Sequence, residues 1–147
     1  MANGGRRLLV VVGVLGLMLA ACGTSTSDAA PTEPPVVVEE NEASGLSRLS
    51  LSARAAERLG IATEAVTAAP TGSGTAVPYA AILYDKDGET WTYTSPEERV
   101  YVRSAITVQT IADGVAILSA GPPVGTAVVT VGTAELWGVE TGVGGGH

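Results

Sequence analysis

Cys22 is the single cysteine of this 147-residue chain, and it closes the run Leu19-Ala20-Ala21-Cys22. A thiol placed after small residues and a short apolar stretch is the lipid acceptor of an exported lipoprotein. Arg6 and Arg7 supply the positive start, residues 8–21 the apolar stretch, and Ala20 and Ala21 the small side chains that a signal peptidase admits before its cut. Residues 1–21 therefore read as a signal peptide, with Leu19, Ala20 and Ala21 as lipobox and Cys22 as the lipid attachment site. The thiol would carry a diacylglycerol and the new amino group a further acyl chain such as palmitate. One chain binds a membrane only marginally, on the order of 10⁴ M⁻¹, and each further buried CH₂ adds about 0.8 kcal/mol, so several chains make the anchor stable. The expected location is the extracytoplasmic face of the cell membrane. A transmembrane helix is the competing reading, but the 14 residues of the run fall short of the roughly 20 that a bilayer core requires.

Other chemistry is sparse. His147 is the one histidine and ends a glycine tail, where nothing would orient it as a general base or metal ligand. Ser-His-Asp and Cys-His arrangements are unsupported, so the chain is not expected to be an enzyme, and the covalent lipid on Cys22 is the only cofactor expected. Asp85, Asp87 and Glu89 invite a calcium reading. Gly88 comes too early for an EF-hand loop, however, and Pro96 stands where the bidentate glutamate belongs. Asp-Gly turn chemistry explains that cluster. Gly72-Ser73-Gly74 lacks the lysine of a phosphate-binding loop and reads as a join. Tyr84, Trp91, Tyr93, Tyr101 and Trp137 would line either a ligand pocket or the core, and in a chain without phenylalanine the core has first claim on them.

The formal charge is −7, and loss of Arg6 and Arg7 with the signal takes it to about −9. Lys86 and a few scattered arginines form no basic stripe, which argues against a nucleic-acid partner. With one cysteine there is no internal disulfide.

The elements that would position these residues follow from composition and turn chemistry. Residues 22–45 are rich in Gly, Thr, Ser, Pro and Glu, with one apolar island at Val36, Val37 and Val38, and read as a disordered tether. Residues 46–147 are enough for one modest core and read as a single β-rich domain. Residues 53–59 are the one convincing helix, capped by Ser52 and stopped by Gly60. Asp87-Gly88 predicts a two-residue hairpin that sets Tyr84 against Trp91 and Ile82 against Tyr93, and Asp113-Gly114 predicts a second hairpin. Residues 100–106 and 127–131 read as strands, and residues 133–136 as a helical turn. The expected fold is mainly β: a small antiparallel β-roll or barrel-like domain with one short helix, preceded by the signal peptide and tether.

Two stretches of this domain resemble a known family. The sequence from Val77-Pro78-Tyr79-Ala80-Ala81-Ile82-Leu83 through Trp91-Thr92-Tyr93 to Gly125-Thr126-Ala127-Val128-Val129-Thr130-Val131-Gly132 is similar to the C-terminal end of the periplasmic adaptor, or membrane fusion, proteins of bacterial efflux pumps. Leu49-Ser50-Leu51 and residues 56–66 resemble that family's opening strand, short helix and next strand. The family carries a helical hairpin, a lipoyl-like domain and a β-barrel between these stretches, where this chain has only residues 69–76. The resemblance implies a membrane-proximal domain, built from both ends of an adaptor, that binds a transporter permease or an adaptor subunit. A small ligand-binding or metal-delivering envelope lipoprotein is the alternative expectation.

Overall fold

The computed structural model describes residues 33–70 and 72–142. Along the chain run strands β1 (Val36–Asn41) and β2 (Leu46–Leu51), helix α1 (Ala53–Leu59), and strands β3 (Ala62–Ala65), β4 (Thr67–Ala68) and β5 (Thr75–Pro78). A 3-10 turn (Tyr79–Ala81) leads to β6 (Leu83–Tyr84), β7 (Thr90–Glu97), β8 (Val100–Ala105), β9 (Thr107–Ala112), β10 (Val115–Ala120), β11 (Ala127–Val131) and helix α2 (Thr133–Glu140). The fold is mainly β and antiparallel, as expected.

Two sheets form. One is seven-stranded in the order β1-β2-β8-β7-β11-β3, with β6 also on β7, and the other is four-stranded in the order β4-β5-β10-β9. Both are open sheets with free edges, so the barrel-like alternative does not hold. The chain passes between the sheets four times, twice through a single residue: Val66, between β3 and β4, and Ile106, between β8 and β9. Both residues are buried, and their backbones are tied down: the Val66 N–H donates to the Thr126 carbonyl and the Ile106 N–H to the Thr90 carbonyl. Alternate residues of the larger sheet face two cores. Leu49, Leu51, Tyr93, Tyr101 and Val129 pack with Leu136 and the apolar side of α1. Val128 packs on the other face with Val66, Val77, Ala116 and Leu118 of the smaller sheet. Period-two alternation of strand side chains is what lets one sheet serve both.

Helix α1 forms as its caps dictate. The Ser52 hydroxyl accepts from the Ala55 N–H at 3.2 Å, and Gly60 closes the helix at φ 62°. The second hairpin also forms as expected, with Val115 opposite Ala112 and both Asp113 and Gly114 at positive φ. Pro96 is accommodated because β7 is bulged against β8 between Thr94 and Glu97, which frees the position from ladder bonding.

Four expectations are corrected. The tether does not extend to Gly45, because Val36–Asn41 pairs in register with β2, Val36 opposite Leu51 and Asn41 opposite Leu46. The apolar island found a sheet edge that local composition does not reveal. The helical turn at residues 133–136 is a full second helix, α2, reaching Glu140. Residues 72–75 are not a loose join. The N–H of Ala69 donates to Gly74 and β4 pairs with β5, so the segment is a hairpin connection.

The fourth correction concerns the first hairpin. Leu83, not Tyr84, lies opposite Trp91, and Tyr84 lies opposite Thr90. The Asp85 carboxylate oxygen Oδ1 accepts the N–H groups of Asp87 (3.0 Å) and Glu89 (2.9 Å), which stretches the loop to three residues and leaves only Gly88 at positive φ. A one-residue slip moves every side chain to the opposite face. Tyr84 is consequently 49% exposed, and desolvation, followed by the neighbouring Tyr79 phenol, pushes its pKa upward.

Candidate functional site

The antiparallel pair β7–β8 sets Tyr93 directly opposite Arg103 and Trp91 opposite Ala105. Arg103 and Trp91 are thus diagonal neighbours on one face, and the small Ala105 leaves room for the guanidinium to lean over the indole. Helix α2 then crosses that face, with Leu136 fully buried and Trp137 half-buried beneath it. The guanidinium carbon of Arg103 lies 4.5 Å from the centroid of Trp91 and 4.8 Å from that of Trp137. Each such contact contributes about 0.5–2 kcal/mol, more as water is excluded.

Glu140, at the end of α2, completes the arrangement. Its Oε1 accepts from Arg103 Nε at 2.9 Å, with the side chains of Arg103 and Glu140 only 13% and 5% exposed. Its Oε2 accepts from the Tyr93 hydroxyl. Burial, followed by the carboxylate of Glu140, pushes the Tyr93 phenol well above its ordinary 10.0. Both carboxylate oxygens of Glu140 therefore have donors, as a buried charge requires. On the other side, Trp91 Nε1 donates to Asp85 Oδ2 at 2.9 Å. That bond, with the two turn N–H groups, holds the Asp85 carboxyl below its ordinary range.

These groups border a concavity of about 600 Å³, open to solvent, whose wall holds Trp91, Arg103 and Trp137 and whose rim holds Asp85, Asp87 and Thr141. Lys86 pairs with Asp87 at 2.6 Å across the same rim. Of the aromatic residues singled out in the sequence, Tyr93 and Tyr101 are core, Tyr84 is at the surface, and Trp91 and Trp137 meet at this concavity. Arg103 and Glu140 were not singled out. The alternation Tyr101, Arg103, Ala105 placed Arg103 on the aromatic face, but nothing local marked Glu140 as its partner 37 residues away.

The Asp85 cluster is a turn device, and among the described residues no group of three or more His, Cys, Asp or Glu side chains is placed to hold a metal ion. Leu19, Ala20, Ala21, Cys22 and His147 lie outside the described residues. Among the described residues no helix is long and apolar enough to cross a membrane. No family model, curated protein or solved structure matches this chain.

Proposed function

We propose that this is a lipid-anchored extracytoplasmic protein that acts by binding, without catalysis, and whose partner is a membrane transporter or its assembly in an efflux-related role. The observation that carries this reading is the interleaving of the two stretches that resemble adaptor ends. β2 pairs with β8, β3 with β11 and β4 with β5, so strands from residues 46–68 complete sheets built from residue 75 onward. β4 and β5 pair as a tight hairpin where an adaptor would carry its middle domains. Such a unit keeps a membrane-proximal domain while lacking the parts from which adaptors build a tube. The lipid on Cys22 would hold it beside its partner.

Crosslinking in intact membranes, followed by pull-down and mass spectrometry, tests the reading. Recovery of a transporter permease or adaptor subunit with the wild type, reduced with Cys22→Ala, is the expected result. Recovery of neither, together with unchanged efflux on deletion, overturns it. The open concavity beside Trp91 and Trp137 favours a second reading, a small ligand-binding envelope lipoprotein.

A further inference from the structure

The concavity walled by Trp91, Arg103 and Trp137 has a chemistry that narrows its occupant. We propose that it binds a neutral, polyhydroxylated ligand, a saccharide, with Arg103 donating to ring or hydroxyl oxygens and the indole surface that Arg103 leaves uncovered meeting the C–H faces of the sugar. The inference goes beyond the adaptor reading and stands whether or not a protein partner binds elsewhere.

Three observations carry it. First, only Arg103 Nε is engaged by protein: among the described residues Nη1 and Nη2 take no hydrogen-bond partner, while Glu140 and the two indoles fix the plane of the guanidinium. A donor edge is thus held ready at small entropic cost. Second, the charges disfavour ions of either sign. Glu140 neutralises Arg103, Asp87 pairs with Lys86, and the Asp85 carboxylate remains, which repels an anion. A cation would meet the Arg103 guanidinium, which lies on one face of each indole and repels it. Third, the size of about 600 Å³ and the mixture of apolar wall and few polar groups suit a small ligand. What remains compatible is a neutral molecule with hydroxyls to match Asp87 and the Arg103 edge and with apolar faces to lie against tryptophan.

The two tryptophans of the chain are Trp91 and Trp137, so intrinsic tryptophan fluorescence of the full chain reports on this concavity alone. Titration would compare cellobiose, maltose and di-N-acetylchitobiose with sodium acetate, inorganic phosphate and tetramethylammonium chloride. A saturable emission change with at least one disaccharide and none with the ions is expected. Arg103→Lys should weaken that binding about tenfold or more, because a lysine cannot present the planar donor edge. Should that variant fail to fold, the indole N–H and Arg103 Nε–H resonances of the wild type serve instead, and they should shift together on adding the disaccharide. Saturation by acetate or phosphate alone would reassign the site to anions and overturn the proposal. Absence of any saturable change, or disaccharide binding that leaves those three resonances unmoved, would overturn it as well.

Discussion

Arg103 of β8 and Glu140 at the end of α2 meet at 2.9 Å with both side chains almost fully buried, and this ion pair locks the C-terminal helix onto the larger sheet. Removing one partner of a buried pair strands the other charge and costs about 3–5 kcal/mol. Arg103→Ala and Glu140→Ala should each lower Tm by more than about 10 °C. The double variant Arg103→Met with Glu140→Leu should be less destabilised than either single change, because no unpaired charge remains. Thermal melts followed by circular dichroism decide this.

Tyr93 keeps its proton more tightly in the fold than in the unfolded chain, since burial and Glu140 both disfavour the phenolate. Its contribution is complete below the unfolded phenol pKa of about 10 and is lost as pH rises from there toward the folded value. Stability should therefore fall above about pH 10, and Tyr93→Phe should flatten that fall. At neutral pH the same variant should cost about 1–3 kcal/mol, because Glu140 Oε2 loses its donor. Urea melts at pH 7, 9 and 11 make the comparison.

Gly74 has φ 87°, and a Cβ there would stand 2.2 Å from the Leu118 carbonyl oxygen, whereas Gly72 has φ 78° and open space around it. Backbone strain of about 1–3 kcal/mol is common to alanine at both positions. Gly74→Ala should lose about 2 kcal/mol more than Gly72→Ala, the excess reflecting displacement of β10 from β5. Denaturant midpoints of the two variants test the difference.

Thr92 is fully buried, and among the described residues its Oγ1 has no hydrogen-bond partner. An unpartnered buried hydroxyl costs about 1–3 kcal/mol, and valine has nearly the same shape. Thr92→Val should raise stability by about 1 kcal/mol, seen as a higher urea midpoint with an unchanged slope.

Features set by neighbouring residues were legible before any tertiary contact was known. Ser52 and Gly60 delimit α1 because both caps act within one helical turn. Asp113-Gly114 makes its hairpin because its backbone preferences are local. The Asp87-Gly88 hairpin went astray by one residue, since the Asp85 side chain captured two backbone N–H groups and outcompeted the shorter turn. The candidate site was legible only by half. Trp91, Tyr93 and Trp137 stand out as aromatic residues, while Arg103 and Glu140 carry no local mark.

By itself, the sequence determined the acidic charge, the β-rich character of the domain, the caps of α1 and the Asp-Gly turn at residues 113–114. Tertiary structure alone decided that Val36–Asn41 joins the sheet, that the chain changes sheets at Val66 and Ile106, and that Glu140 reaches Arg103 and Tyr93. The physical reason is range. Caps and turns depend on dihedral preferences and hydrogen bonds within a few residues. A strand on a free edge and a carboxylate that meets a buried guanidinium depend on which distant surfaces the folded chain leaves unpaired.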